Sequence, residues 1–360
     1  MNLTTQPTAG VHDELLPEGF PVGGFRIGSF LRAGGMAHVY LGVHPPTGTR
    51  VAIKVLQRHV STVPECVARF QREAEVMMRL RGCPNVVELY DAGRLPDGRP
   101  FLVMEFVRGQ DLDDLLIALQ SGEQRMSVER ACRLIRDIAR GVAAAHHNLI
   151  VHRDLKPPNV MIEERRDGSE TAKILDFGVS ADLGHGGRAQ ALTVYGSVIG
   201  TPGYMAPEQT LGLPAAPSFD IYALGVMLQE LLTGDPPPEK GWRAGPPADI
   251  RHLRPDVPAP LADLIRDSVV FDSAKRIRSV EAFLQRVEEV LAGPPPSTHR
   301  APAPPPRAYA PAPTGASATK ASAAKPGKPR GAPRTALWVA FVLLAVASGG
   351  SLAFVLLSLR

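Results

Sequence analysis

The sequence changes its hydrophobic periodicity near Gly109, and this change limits the fold more than any other feature. Before Gly109, short apolar or alternating runs are separated by turn residues, a pattern typical of strands in a meander. After Gly109, apolar residues recur at helical spacing behind Ser127, which can serve as an N-cap. Strands followed by helices predict an α+β protein with a small sheet-rich lobe and a larger helical lobe. The strand-like runs cover residues 26–31, 37–43, 51–56, 86–90 and 100–106, with a predicted helix at 65–80.

The net charge is concentrated in one segment. The 360 residues include 40 Lys or Arg and 36 Asp or Glu, for a formal charge of +4. Residues 293–334 contain seven Lys or Arg and no acidic residue, so the preceding part of the chain is net negative. Nucleic-acid-binding domains are typically basic, and the sequence therefore predicts no nucleic-acid partner.

Composition divides the chain into four segments. Residues 1–24 are polar, lack the apolar core of a signal peptide, and are predicted to be a flexible N-terminal segment. Residues 25–291 have the apolar content of a folded domain, and residues 292–334 are predicted to be an extended, basic Pro/Ala-rich linker. Residues 335–359 carry no charge and exceed the roughly 20 residues that a transmembrane helix needs. A buried core helix is the weaker interpretation, because a linker precedes the segment and only Arg360 follows it.

Two motifs place polar residues of particular types among apolar runs: HRDLKPPN at residues 152–159 and DFG at residues 176–178. Phosphoryl transfer needs a carboxylate that orients the attacking hydroxyl, oxygen ligands for Mg²⁺, and positive charge on the phosphates. Asp154 can orient the hydroxyl and Lys156 can neutralise the transferred phosphate. Hard oxygen ligands for magnesium are available from Asn159 and Asp176.

These motifs resemble the catalytic loop and the Asp-Phe-Gly motif of the protein kinase family. VAIK at residues 51–54 is similar to the third-strand motif of that family, and Glu73 is similar to the helix partner of its lysine. GTPGYMAPE at residues 200–208 resembles the end of a kinase activation segment. Arg276 is similar in position to the arginine that pairs with the glutamate of that motif, here Glu208. Several separate motifs in the family's order make chance an implausible explanation.

The resemblance implies a two-lobed protein kinase fold over residues 25–291, with a β-rich N-lobe and an α-helical C-lobe. Lys156 and the Gly-Thr-Pro-x-Tyr sequence are similar to those of the serine/threonine branch. The implied activity is therefore transfer of the ATP γ-phosphate to Ser or Thr hydroxyls of protein substrates, with ATP and Mg²⁺ as cofactors.

The resemblance also implies a role for each matching residue. Lys54 and Glu73 position the nucleotide phosphates. Asp154 orients the substrate hydroxyl, while Lys156 stabilises the moving phosphoryl group. The implied magnesium ligands are Asn159 and Asp176, and the implied nucleotide-binding residues are Leu31, Gly34, Gly35, Val39, Ala52, Lys54, Glu105, Val107 and Met161.

The glycine-rich loop departs from the family pattern. Arg32 stands at the position of the first glycine and Ala37 at that of the third, while Gly34 and Gly35 remain in the middle of the turn. Glycine lets the backbone approach phosphates closely, so we expect altered nucleotide affinity rather than its loss. The same departure motivates a competing hypothesis, a pseudokinase that acts as a membrane-tethered scaffold.

Two other features have simple interpretations. A Lys–Glu pair such as Lys54 and Glu73 is by itself more often a surface salt bridge worth under about 1 kcal/mol, so its weight comes from the motif order. His146 and His147 lie on a predicted helix with no further ligand at metal-binding spacing, and ordinary packing or solvent exposure is predicted for them.

The apolar segment 335–359 is similar to the single helix of bacterial receptor-type serine/threonine kinases. Basic residues precede it, so the kinase domain is predicted to face the cytoplasm from the cell membrane. Small residues in the segment would allow two such helices to pack together, so a homodimer is a possible partner arrangement. Because only Arg360 follows, no extracellular sensor is expected within this chain. A reducing compartment also fits the absence of a C-x-x-C pair among Cys66, Cys83 and Cys132.

Regulation is suggested by Arg153, which directly precedes Asp154. Kinases with this pair usually need a phosphate in the activation segment, where it neutralises the arginine and orders the loop. Thr193 is the favoured acceptor and Ser197 the second. The other candidates are Ser180, Tyr195 and Thr201.

Overall fold

A computed structural model describes residues 15–121, 125–177, 181–182, 202–238, 241 and 247–293 of the chain. Among these residues no helix has the length and apolar character needed to cross a membrane. The predicted linker at 292–334 is described only for residues 292–293, and the predicted spanning segment 335–359 lies outside the described residues, so their predicted structures stay predictions.

The N-lobe is a six-stranded antiparallel sheet with one helix. Its elements are β1 (Pro21–Val22), β2 (Phe25–Ala33), β3 (Ala37–His44), β4 (Thr49–Leu56), α1 (Pro64–Arg79), β5 (Leu89–Arg94) and β6 (Pro100–Glu105). The strand order is β1-β2-β3-β4-β6-β5, and α1 packs on β5 and β6. The predicted meander of β2, β3 and β4 is confirmed, as is the helix that follows it.

The strand predicted at residues 86–90 was misplaced. Val87 donates its backbone N–H to the carbonyl oxygen of Ile174 in the C-lobe at 2.9 Å, so this part of the run joins the lobes. The strand itself begins at Leu89 and pairs with β6. A short apolar run has the same pattern whether it pairs within a sheet or bridges two lobes, and tertiary contacts decide between them.

The N-terminal boundary also differs from the sequence prediction. The apolar side chains of Leu15, Leu16 and Phe20 pack against the buried cluster around Val22 on the sheet. Leu16 donates its backbone N–H to the Tyr40 hydroxyl at 3.1 Å. Residues 15–24 therefore belong to the folded lobe, because they cover an apolar sheet face that would otherwise be exposed. Residues 1–14 lie outside the described residues.

The C-lobe is mainly helical, as predicted, and also contains short strands that the sequence pattern did not predict. Its helices are α2 (Leu112–Ser121), α3 (Val128–His147), α4 (Pro207–Thr210), α5 (Pro217–Thr233), α6 (Ala259–Ser268) and α7 (Val280–Ala292). Its strands are β7 (Gly109–Asp111), β8 (Ile150–Val151), β9 (Val160–Glu164), β10 (Glu170–Ile174) and β11 (Ala181–Asp182). The predicted cap is present, since the Ser127 side chain accepts a hydrogen bond from the Arg130 backbone N–H.

Helix α5 is the centre of the C-lobe. It packs against α3 and α6, and nearly every residue from Phe219 to Leu232 is buried. A helix that is apolar on all faces must be covered on all faces, and each fully buried large side chain contributes about 1.5 to 3 kcal/mol. This helix is therefore a rigid support for the loops that approach it.

Gly109 marks the passage between the lobes. It begins β7 with φ of +152°, and a Cβ atom at this position would lie 1.8 Å from the carbonyl oxygen of Ile162. Only glycine lets β7 pair with β9 at this distance. The change in periodicity near this residue therefore coincides with a structural junction.

Candidate active site

A cleft of about 570 Å³ is lined by residues from both lobes. All nine residues assigned to the nucleotide from the sequence lie in its wall, and so do Glu73, Asp154 and Asp176. Most of the remaining wall is apolar, with Val87, Met104 and Leu175 among residues that the motif comparison had not singled out. The cleft therefore has apolar walls for a flat ring and convergent charges at one side, as small-molecule sites usually do.

Lys54 connects the two lobes inside this cleft. Its Nζ lies 2.6 Å from Glu73 Oε1 on α1 and 3.1 Å from Asp176 Oδ2, which follows β10. Glu73 shares the buried face of α1 with Phe70, Ala74 and Met77, so the helical spacing directs its carboxylate to the sheet. The chain thus brings together three charges that are up to 122 positions apart in sequence.

Burial and mutual charge shift the protonation equilibria of this triad. Burial alone lowers the pKa of Lys54, but the charges of Asp176 and Glu73 outweigh it and the pKa lies above its ordinary value. Burial raises the pKa of Glu73 to about 7; the Asp176 charge adds to the increase and Lys54 opposes it. A lysine that stays charged between two carboxylates is suited to bind phosphate oxygens.

The catalytic-loop candidates lie together at the C-lobe side of the cleft. Lys156 Nζ is 2.9 Å from Asp154 Oδ2. Asn159 donates from its amide nitrogen to the Asp154 carbonyl oxygen at 2.7 Å, which leaves its amide oxygen as the atom for a metal. The Leu175 backbone N–H donates to the Asn159 carbonyl oxygen at 2.9 Å, so Asn159 and the adjacent Asp176 are held in one frame. One amide oxygen and one partly exposed carboxylate fit the hard oxygen ligands that Mg²⁺ prefers.

Asp220 on α5 holds the loop that carries Asp154. Its carboxylate is almost fully buried and accepts hydrogen bonds of 2.9 Å from the backbone N–H groups of His152 and Arg153. Burial raises the pKa of Asp220. The hydrogen bond from His146 and the other bonds that the carboxylate accepts lower the pKa by more than burial raises it, so the net pKa is below its ordinary value. A stable carboxylate therefore supports the backbone of Arg153, which has a φ of +71° that few non-glycine residues adopt.

The two histidines of α3 have different environments. His146 lies 2.8 Å from Asp220 Oδ2 through its Nε2 and is mostly buried. His147 is 71% exposed and lies near Glu281. Packing and exposure were the two predicted outcomes, but the link from His146 to Asp220 was missed, because no sequence pattern connects these positions.

Comparison with known proteins identifies the family of this chain. A model of the protein kinase domain matches residues 25–284 of the chain. The chain belongs to the protein kinase family. This kinase is similar to the serine/threonine-protein kinase Pkn1 of Myxococcus xanthus, with 37% identity over 79% of this chain and 40% of Pkn1. It is also similar to the serine/threonine-protein kinase PknA of Mycobacterium tuberculosis, with 34% identity over 83% of this chain and 69% of PknA.

Solved structures agree with this assignment. The kinase domain of PknI from Mycobacterium tuberculosis matches 78% of this chain and all of that domain, with 27% identity and a TM-score of 0.60. The chain spans two fifths of Pkn1 and half of pkn3, another Myxococcus xanthus relative. Members of the family use ATP and a divalent metal ion on protein substrates.

The predicted pair of Arg276 and Glu208 is present in this kinase. The guanidinium binds both carboxylate oxygens, at 2.6 and 3.1 Å, and also donates to the carbonyl oxygens of Ser218 and Val270. Burial raises the pKa of Glu208, but the hydrogen bonds and charge of Arg276 bring it below its ordinary value. The pair therefore ties α4 to the start of α5 and to the loop before Arg276.

Arg153 has an incomplete set of partners within the described part of this kinase. Its carbonyl oxygen accepts a hydrogen bond from Gln209 at 2.6 Å. Its buried Nε has no hydrogen-bond partner among the described residues. The activation-segment candidates at 180, 193, 195, 197 and 201 lie outside those residues, so the predicted phosphate acceptor stays a prediction.

Proposed function

We propose that this chain is a serine/threonine protein kinase that transfers the γ-phosphate of ATP, bound with Mg²⁺, to Ser or Thr hydroxyls of other proteins. The observation that carries the proposal is that Lys54 forms ion pairs with both Glu73 and Asp176. An inactive arrangement of the lobes would separate Lys54 from Glu73, whereas here Nζ and Oε1 are 2.6 Å apart. The names of two bacterial relatives as serine/threonine-protein kinases support the choice of acceptor.

In this reaction the substrate hydroxyl oxygen forms a bond to the γ-phosphorus, and the bond from that phosphorus to the β,γ-bridging oxygen breaks. ADP leaves with the electron pair, and the hydroxyl proton passes to Asp154. Lys54 holds the phosphates that stay with ADP, while Lys156 stabilises the charge on the group in transfer. A Mg²⁺ ion held by Asn159 and Asp176 would neutralise phosphate charge. Positioning and electrostatics thus account for most of the catalysis.

The pseudokinase alternative has less support. It rested on Arg32 and Ala37 in the glycine loop, yet Gly34 still donates its backbone N–H to the Ala37 carbonyl oxygen at 2.8 Å and closes the hairpin. Lys54, Glu73, Asp154 and Asp176 line the cleft, and Lys156 contacts Asp154, so none of these charged residues is replaced. A scaffold without catalysis would not need this constellation.

The test is phosphate transfer by the purified full-length protein, with γ-labelled ATP and Mg²⁺ and a basic protein as acceptor. Label should appear on serine and threonine after acid hydrolysis. Asp154→Asn should lower the rate on the order of 10² to 10⁴-fold, because it removes the base that orients the hydroxyl. Asp167→Asn is the matched control, since Asp167 lies in the exposed turn between β9 and β10 and bonds Ser169. Equal rates for wild type and Asp154→Asn would contradict the proposal.

We further propose that residues 335–359 anchor this kinase in the cell membrane with the kinase domain on the cytoplasmic side. The uncharged segment and the basic flank of the preceding linker support it. Association of two such helices through small residues would give a homodimer that phosphorylates in trans. Full-length protein should resist alkaline extraction from membranes, and a chain ending at Gly293 should be soluble. Full-length protein in the soluble fraction would contradict the anchor.

A further inference from the structure

A further ion pair joins the two lobes, at the solvent side of the nucleotide cleft. Arg32 Nη1 lies 3.8 Å from Asp111 Oδ2. Arg32 belongs to β2 of the N-lobe, whereas Asp111 ends β7 of the C-lobe. Both residues line the same cleft as Lys54, but the Arg32 side chain is 53% exposed and that of Lys54 only 16%. The pair therefore crosses the outer part of the cleft, while Lys54 lies in its inner part.

The two members of this pair are held differently. Asp111 uses its other carboxylate oxygen, Oδ1, to accept the Asp114 backbone N–H at 2.8 Å at the start of α2. Its backbone pairs with Met161 of β9 in the C-lobe sheet. Arg32 is more exposed, and within the described chain Asp111 is its ion-pair partner. A fixed acceptor thus faces a long, flexible cation that can bind or release it.

This arrangement gives a physical role to the departure in the glycine loop. The backbone of Arg32 pairs with Val39 in the hairpin, and the turn beyond it is closed between Gly34 and Ala37. A glycine at position 32 has no side chain and would not form this ion pair with the C-lobe. Arginine at the same position adds a noncovalent link across the cleft, in addition to the covalent connection at residues 105–109.

We propose that Arg32 and Asp111 form an ionic clasp that prolongs the residence of a nucleoside polyphosphate in the cleft. The proposal rests on the nucleotide site of the proposed function. The lobes must separate before a bound nucleotide leaves, and the clasp must break before they separate. Because the pair is partly exposed, dissolved salt weakens it. Because the clasp must break before the nucleotide leaves, it acts on the dissociation rate of the nucleotide more than on its association rate.

The experiment measures displacement of a fluorescent ADP analogue from full-length protein by excess unlabelled ADP in Mg²⁺ buffer. Arg32→Gln removes the charge and keeps the length of the side chain. Asp111→Asn removes the charge and keeps Oδ1 as acceptor for α2. Each should raise the dissociation rate roughly two- to fivefold, which is the range expected of a partly exposed pair. The double variant should be no faster than the single variants, because both changes break one interaction.

Two controls isolate the clasp. Arg26→Gln changes another arginine of β2, which bonds the Gly19 carbonyl oxygen and lies outside the cleft wall, and it should leave the rate unchanged. Raising the salt concentration from about 0.05 to about 0.5 M should speed dissociation more from wild type than from Arg32→Gln, since the Debye length shortens severalfold and only wild type has the clasp to lose.

Additive effects of Arg32→Gln and Asp111→Asn would overturn the clasp, because they would mean that each residue contacts the nucleotide independently. A wild-type rate in Arg32→Gln would also overturn it. Failure of the clasp can be distinguished from failure of the proposed kinase activity. Phosphate transfer without coupling between the two residues contradicts the clasp alone, whereas coupling without phosphate transfer contradicts the kinase activity alone.

Discussion

Arg276 and Glu208 form a two-point ion pair in which the arginine side chain has no solvent exposure and the carboxylate only 10%. Glu208 belongs to α4, at the end of the GTPGYMAPE motif, and the Arg276 guanidinium lies 5.2 Å from the centre of the Tyr222 ring on α5. It thus fixes the end of the GTPGYMAPE motif to the most buried helix of the described C-lobe. Two late motifs of the sequence therefore meet in a single structural joint.

The first prediction concerns this joint. Arg276→Met should lower the free energy of unfolding by about 3 to 5 kcal/mol, because it leaves the buried Glu208 charge without its ion-pair partner. Urea unfolding followed by circular dichroism measures the change. Lys275→Met is the matched control, since Lys275 is 76% exposed and its pair with Asp272 should contribute under about 1 kcal/mol. Equal destabilisation by the two variants would show that the buried pair contributes no more to the free energy of unfolding than the exposed pair does.

The second prediction is that Lys54→Ala loses phosphate transfer while the domain stays folded. The change removes the cation that faces Glu73 and Asp176, so the rate should fall by at least about 10²-fold. Initial rates with saturating acceptor protein measure the loss, and a cooperative thermal transition checks the fold. Lys275→Ala should keep wild-type rates. Wild-type activity in Lys54→Ala would remove Lys54 from the proposed mechanism.

The third prediction is a pH dependence that arises from Glu73. Burial raises its pKa to about 7, so the side chain takes up a proton as the pH falls through that value and loses the charge that holds Lys54. The ratio kcat/KM for ATP, which reports groups of the free enzyme, should therefore fall on the acid side with an apparent pKa near 7.

The control for this profile is within the same helix. Glu73→Gln should be less active throughout and should lack the inflection near that pH, because glutamine does not titrate. Glu75→Gln changes an exposed carboxylate of α1 and should keep the wild-type profile. An inflection that persists in Glu73→Gln belongs to another group.

The fourth prediction is activation by phosphorylation of Thr193. The Arg153 guanidinium Nε is buried without a hydrogen-bond partner among the described residues, which leaves a cation available to a phosphate. Mass spectrometry should find phosphate on Thr193 in wild type and not in Asp154→Asn. Thr193→Ala should lower activity, and Ser197→Ala should lower it less. Full activity of Thr193→Ala would contradict this mode of regulation.

Local pattern was sufficient for most elements and for the chemical types at the site. Ser127 was identified as a cap because the preference of serine for that position arises within a single helical turn. The nine predicted nucleotide residues of the cleft wall were identified because their motifs follow a family order, and each motif is a short segment of the chain. The amphipathic spacing of α1 likewise determines that Glu73 shares a face with Phe70.

Tertiary structure decided which distant segments meet. The bond from His146 to Asp220 depends on how α3 packs against α5, and the bond from the Arg153 backbone depends on how the loop after β8 approaches α5. No local segment contains a signal for either contact. The packing of the partly buried Leu15 and Leu16 depends on an open sheet face, and the contact of Arg32 with Asp111 depends on the angle between the lobes. Periodicity and residue chemistry are properties of neighbours along the chain. Contacts between separate elements are set by the packing of their surfaces, which no local segment specifies.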